Sequence, residues 1–134
     1  MSDLSRVLEI WLESNLNAHP FIPEAYWRGN LEAVREMLPQ AELYVYEEES
    51  GILGFIGLTG SYIAGLFVCA EKQSHGIGRQ LMDFAKARKP ELALDVYKRN
   101  IRAVKFYQRE RFAVLSENVD KATGECEYRM VWKR

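Results

Sequence analysis

Gln73, Gly76 and Gly78 stand where an apolar run, Leu66-Phe67-Val68, gives way to a helical pattern that begins near Ile77. Glycines at such a junction let the backbone approach a ligand closely and adopt dihedrals closed to other residues. The helix that follows opens with unpaired N–H groups and a partial positive charge, which together suit a phosphate or pyrophosphate. The spacing is not that of a P-loop, because Gly78 is followed by Arg79-Gln80 rather than by lysine and a hydroxyl residue. A dinucleotide fingerprint would place a third glycine where Leu81 stands, although Asp95 lies about where a ribose-binding acid belongs. Taken alone, the turn reads equally well as ordinary loop chemistry.

The rest of the chain narrows the choice by exclusion. Its 134 residues are read as one domain, 1–134, with 48% hydrophobic and 28% charged side chains, ordinary values for a globular protein. The 18 basic and 19 acidic side chains leave a net charge of −1, without the basic footprint of a nucleic-acid coat. No apolar run approaches the ~18 residues of a membrane span, and the N-terminal residues lack the order of a secretory signal. Cys69 and Cys126 match no metal spacing and are too few for a disulfide scaffold. The sequence therefore predicts a soluble, cytoplasmic protein without a metal.

The elements that must position the glycine turn follow from periodicity and punctuation. Leu4, Val7, Leu8, Trp11 and Leu12 form one face of a helix over Asp3–Asn15, with Ser2 or Asp3 as its cap. Pro20 and Pro23 interrupt it, and a second helix runs from Pro23 to about Leu38 with a break at Gly29. From Glu42 the period drops to two. Strands are expected at Leu43–Tyr46, Ile52–Leu58 and Tyr62–Val68, joined by turns at Ser50-Gly51 and Gly60-Ser61, which makes them antiparallel. A helix over Gly76–Lys89 turns Ile77, Leu81, Phe84 and Ala85 inward. A strand at Leu92–Tyr97, a helix over Asn100–Glu110 and strands at Phe112–Glu117 and Glu125–Trp132 complete an α+β order.

That order, with Gln73-x-x-Gly76-x-Gly78 and with Asn100 and Tyr107 seven residues apart, resembles the GCN5-related N-acetyltransferases, the GNAT family. The likeness spans essentially the whole chain. Trp11-Leu12-Glu13-Ser14, His19-Pro20-Phe21-Ile22, Tyr26-Trp27 and Leu94-Asp95-Val96-Tyr97 look closest to small bacterial members that acetylate protein lysines. The resemblance implies the acyl-CoA N-acyltransferase fold, a mixed, mostly antiparallel sheet flanked by helices. It implies transfer of an acetyl group from acetyl-CoA directly to a primary amine, a protein lysine or N-terminus ahead of a small amine. A monomer or dimer with no nucleic-acid or membrane partner is expected.

On this resemblance, backbone amides of Gln73, Ser74, His75, Gly76, Ile77, Gly78 and Arg79 would hold the pyrophosphate. Backbone groups of Phe67 and Val68 would meet the pantetheine arm and polarise the thioester. Tyr107 would protonate the departing thiolate, its phenol near pKa ~10 against ~8.5 for a thiol, or simply pack. Asn100 would bond the pantetheine arm or cap its helix. Asp95 would take the amine's proton or stand as a solvated strand-end carboxylate, with Glu42 a distant second base. His19 is expected to shape the acceptor side, Cys69 to be structural, and the run Lys98, Arg99, Arg102, Lys105, Arg109 and Arg111 to be mostly a solvated face. One or two of its members would reach the 3′-phosphate of CoA.

Two departures from the family pattern carry their own expectations. The family's first strand is missing or truncated here, which leaves Leu43–Tyr46 as the sheet's edge. Arg111 occupies a position where the family has glycine, so strain or a reshaped turn is expected. The runner-up function is a catalytically silent acetyl-CoA-binding regulatory module, and a nucleotide-binding α/β module stands third.

Overall fold

The structure, a computed structural model, describes residues 3–73 and 75–134. Ser2 and Ser74 lie outside the described residues. Three helices open the chain: α1 (Asp3–Ala18), α2 (Glu24–Gly29) and α3 (Leu31–Met37). Strands β1 (Glu42–Glu48), β2 (Gly51–Thr59) and β3 (Tyr62–Val68) follow, then α4 (Ile77–Arg88), β4 (Glu91–Tyr97), α5 (Ile101–Arg109), β5 (Ala113–Val119) and β6 (Cys126–Lys133). The six strands form one mixed sheet in the order β1-β2-β3-β4-β6-β5, antiparallel except where β3 meets β4.

Helix α1 runs three residues past the expected Asn15, and Asn15 Nδ2 donates to the Trp11 carbonyl within it at 2.9 Å. Asp3 sits inside the first turn rather than capping it. The sheet is covered by helices on both faces. Strand β2 reads Ile-Leu-Gly-Phe-Ile-Gly-Leu and is buried along almost its whole length, between α1 on one side and α4 on the other. Ile10, Phe55, Ile56, Leu58, Met82, Leu92, Leu94 and Met130 are the largest fully buried side chains.

Gly54 lets α4 settle on the sheet. A Cβ there would lie 2.9 Å from the Phe67 carbonyl oxygen and 3.2 Å from Ile77 Cγ2, so any side chain would lift the helix that carries the glycine turn. Ile77, Leu81, Met82 and Ala85 are the buried residues of that helix. Phe84, expected among them, is 37% exposed because α4 there overhangs β1, where the ring packs 4.6 Å from that of Tyr44 under the Arg88 guanidinium. Strand β1 is the outer strand of its side and pairs only with β2, as expected for Leu43–Tyr46.

Strands β3 and β4 are parallel and share a single register pair, Tyr62 with Ala93, where Ala93 N–H donates to the Ser61 carbonyl at 2.9 Å. Beyond that pair they diverge. The sheet is split there, and the split opens the molecule's large cleft.

Candidate active site

A cleft of about 950 Å³ runs into the split, lined by both parting strands, by Ser14, Asn15, His19 and Trp27 on one side, and by the start of α4 and much of α5 on the other. Among the sequence-derived site residues, Phe67, Val68, Gln73, Gly76, Gly78, Arg79, Asp95, Asn100 and Tyr107 all border it. His75 is exposed, Ile77 is 3% exposed in the core, and Ser74 lies outside the described residues. Glu42 is not at the cleft. It sits at the start of the edge strand, bound by Lys89 Nζ at 3.0 Å and by the Tyr44 hydroxyl.

The glycine turn has the geometry its sequence demands. Gly76 caps α4 at φ +81°, in the left-handed region that glycine occupies without strain. The helix starts at Ile77, so the first amides of Ile77, Gly78 and Arg79 have no acceptor inside it. Gln73 N–H and His75 N–H, by contrast, already donate to the Ala70 and Lys72 carbonyls. The Gln73 side chain bridges the turn: Nε2 donates to the Val68 carbonyl at 3.3 Å, and Oε1 accepts from Arg102 Nη1 at 2.9 Å. Ser14 Oγ donates to the same Val68 carbonyl at 3.4 Å, tying α1 to the end of β3.

Arg102, Arg109 and Arg111 are exposed, as expected of a solvated face, and that face also borders the cleft beside Tyr107. The helix packs lightly on β4, and the cleft leaves its flank open, so charged side chains can border both solvent and the cavity. Lys98 and Arg99 do point elsewhere, to Glu117 at 3.0 Å and Glu125 at 3.2 Å.

Tyr107 is fixed by the way α5 ends. Phe112 N–H donates to the Tyr107 carbonyl at 2.9 Å and Arg111 N–H to the Gln108 carbonyl at 3.0 Å, the paired bonds of a Schellman motif. Such a motif needs a left-handed residue after the cap, and Arg111 supplies it at φ +72°. The turn is kept and the strain accepted. The accompanying apolar contact is Phe112 against Tyr107, ring centroids 5.8 Å apart, with Phe106 on the other side at 5.4 Å. Burial pushes the phenol up to about 12, and its hydroxyl carries no hydrogen bond among the described residues.

Asn100 caps α5, its Oδ1 accepting from Ala103 N–H at 3.3 Å. That bond makes Nδ2 the outward atom, 3.2 Å from His19 Nε2, so His19 accepts there and carries its proton on Nδ1. His19 is 9% exposed, stacked on Trp27 at 5.3 Å and edge-on to Phe21 and Tyr97. Burial lowers its pKa to about 4, only partly offset by the Asn15 carbonyl, so the ring is neutral.

Asp95 is held on three sides. Arg129 donates to Oδ1 at 2.6 Å and to Oδ2 at 2.9 Å, and the Tyr62 hydroxyl donates to Oδ2 at 2.9 Å. Asp120, from the turn between β5 and β6, and Glu127 of β6 also reach the cleft, and neither stood out in the sequence. Tyr97 donates to Asp120 at 2.8 Å, and the burial of Tyr62 and Tyr97 combines with these carboxylates to raise both phenols.

Comparison with known proteins decides the class. The acetyltransferase (GNAT) domain matches residues 15–133. The chain belongs to the GNAT family. It is similar to the peptidyl-lysine N-acetyltransferase YiaC of Escherichia coli, 40% identical over 116 residues, which cover 85% of this chain and 80% of YiaC. The E. coli peptidyl-lysine N-acetyltransferase YjaB is 33% identical over 109 residues, 81% of this chain and 74% of YjaB. The solution structure of apo-form E. coli YjaB superposes with a TM-score of 0.86 over 97% of this chain and 90% of that one, at 28% identity. A Bacillus anthracis acetyltransferase solved in complex with acetyl coenzyme A shares the fold, with TM-score 0.63 and 21% identity over 70% of this chain and 62% of that one. This GNAT chain is an N-acetyltransferase that draws its acetyl group from acetyl-CoA, and a silent binding module is not favoured. Among the described residues no helix is long and apolar enough to cross a membrane, and no cluster of metal-ligating side chains occurs.

Proposed function

We propose that the acceptor is a lysine side chain of a protein, acetylated in the cytoplasm by residues 1–134 acting as one catalytic domain. The observation that carries this reading is the charge of the cleft's two walls. Lys72, Arg79, Arg102 and Arg109, from the glycine turn and α5, give one wall for phosphates. Asp95, Asp120 and Glu127, from β4, β6 and the turn before β6, give another for an ammonium. Tyr62, Tyr97, His19 and Trp27 supply the apolar surface that a lysine stem would cover. The peptidyl-lysine activity named for YiaC and YjaB supports the same acceptor.

In this reading the amides of Gly76, Ile77, Gly78 and Arg79 take the larger share of the pyrophosphate, with those of Gln73, Ser74 and His75 at the rim. Phe67 and Val68 present backbone to the pantetheine arm, and Asn100 Nδ2 stands by it. Asp95 fixes Arg129 and Tyr62 and so shapes the acceptor wall. Tyr107 protonates the departing sulfur: its hydroxyl is uncommitted and its pKa keeps it protonated over the working range.

The test is acetylation of lysine peptides followed by mass spectrometry, beside a panel of small amines. Tyr107→Phe should lower kcat by about 10²-fold with acetyl-CoA affinity nearly unchanged. Turnover of small amines with none on any peptide would overturn the acceptor, and a Tyr107→Phe enzyme with full kcat would overturn the acid.

A further inference from the structure

Four carboxylates reach the cleft, and three are already committed. Glu110 is paired with Lys86 Nζ at 3.3 Å. Asp95 is bound by Arg129 and Tyr62. Asp120 accepts from the Tyr97 hydroxyl at 2.8 Å, Thr123 Oγ1 at 3.1 Å and Ala122 N–H at 3.1 Å. Glu127 has no hydrogen bond and no ion pair among the described residues. Its register explains why it faces the same space. On the β4–β6 ladder Asp95 stands opposite Arg129 and Tyr97 opposite Glu127, and alternation along each strand puts all four side chains on one face.

We propose that Glu127 is the group that takes the proton from the acceptor amine. The proposal rests on the lysine reading above, since an ammonium must lose a proton before it can attack. His19 cannot serve, because its Nε2 already accepts from Asn100. Partial burial and the charges of Asp95 and Asp120 raise the Glu127 carboxyl, against Arg129 alone in the other direction, and Arg129 is bound to Asp95. The remaining titratable groups facing it are the phenols Tyr26 of α2, Tyr62 of β3 and Tyr97 of β4, all raised and all protonated at working pH. A raised carboxyl is a stronger base, closer to what an ammonium requires.

The protons balance. The acceptor's R–NH₃⁺ gives one proton to Glu127, and the freed amine lone pair bonds to the thioester carbonyl carbon. The adduct's nitrogen passes its second proton through solvent to replace the one that Tyr107 gives to sulfur as the C–S bond breaks. One proton ends on the CoA thiol, Tyr107 is reprotonated, and one proton is released overall.

Glu127→Gln keeps the shape and removes the base. Against a lysine peptide that the wild type acetylates, kcat should fall by about 10²-fold or more, with acetyl-CoA affinity unchanged. The variant's log kcat should climb steadily with pH where the wild type levels off, and its melting temperature at pH 7 should rise, because a crowded carboxylate is gone. Glu127→Asp should recover part of the rate. Wild-type kcat and pH profile in Glu127→Gln would overturn the proposal, as would Asp95→Asn abolishing the acidic limb while Glu127→Gln leaves it. A wild type inactive on every lysine peptide but active on small amines would overturn the acceptor reading, and the same Glu127→Gln profile taken on those amines would then judge the base separately.

Discussion

Acid should loosen this fold through His19 before it reaches most carboxylates. The ring is 9% exposed, packed among Trp27, Phe21 and Tyr97, and burial holds its pKa at about 4, against 6.5 for the free group. A histidine whose folded pKa is depressed binds its proton more readily when unfolded. The stability it contributes is present above pH 6.5 and drains away as pH falls towards 4. Linkage puts the loss at about 2 kcal/mol by pH 5 and about 3 kcal/mol by pH 4. For a chain of this length 2 kcal/mol corresponds to roughly 7 °C in Tm. His19→Gln isolates the effect, because the amide oxygen can still accept from Asn100 Nδ2 while nothing titrates. Glu127 works in the opposite sense, since its raised carboxyl gains stability as pH falls, so a single melting curve would mix the two. No charged partner acts on His19, so subtracting the variant's stability from the wild type's at each pH cancels Glu127 and every other common group. Denaturant melts at half-unit steps from pH 7.5 to 4.5 give that difference directly. A difference that changes by less than about 0.5 kcal/mol between pH 7 and pH 5 would refute the account of a buried, neutral ring.

Arg111→Gly should raise stability by about 1 kcal/mol, some 3–4 °C in Tm, because glycine takes the φ of +72° without the Cβ penalty; an unchanged or lower Tm would mean the arginine makes compensating contacts. The two glycines of the turn should behave differently. Gly76→Ala should cost about 1 kcal/mol through φ +81° and weaken acetyl-CoA binding. Gly78→Ala places a Cβ 3.6 Å from the Phe106 ring, an ordinary contact, and should keep stability and bind acetyl-CoA within a few-fold. Thermal melts with calorimetric titration separate the pair, and equal effects would contradict the geometry.

Periodicity and glycine or proline punctuation made the element order legible, because each of those signals is local. The glycine turn was legible for the same reason: a strand end, two glycines and a helix start lie within a dozen residues. The acceptor wall was not. Asp95 meets Arg129 across 34 residues and Tyr62 across 33, contacts that exist only once β6 slots beside β4 and β3 parts from it. With that order assumed, Asp95-x-Tyr97 and Glu127-x-Arg129 would have aligned as facing alternations, and an unpaired Glu127 would have followed. Arg102 and Arg109 are exposed as expected, but their place at the cleft was not legible for a related reason. A helical wheel fixes which residues share a face, but the split in the sheet decides that the face borders a cavity.

The proposed acid and base divide their work in a way that follows from their surroundings. Tyr107 is walled by Phe106 and Phe112, burial alone raises it, and it stays a protonated donor at every working pH. At about 12 it is a weaker acid than a thiol near ~8.5, so it does not hand a proton outright to a finished thiolate. Its proton moves to sulfur while the C–S bond is still lengthening, as the adduct collapses and the amine nitrogen sheds a proton. Glu127 is raised by like charges as well as burial, a different cause with a different consequence: bringing in an ammonium lowers the crowding that raised it. The carboxylate thus becomes easier to keep ionised when the acceptor arrives and is ready to be protonated as the charge moves away. A well-packed apolar residue at 127 would cost the fold less, and the fold's tolerance of an unpaired carboxylate there is accounted for by a cationic acceptor.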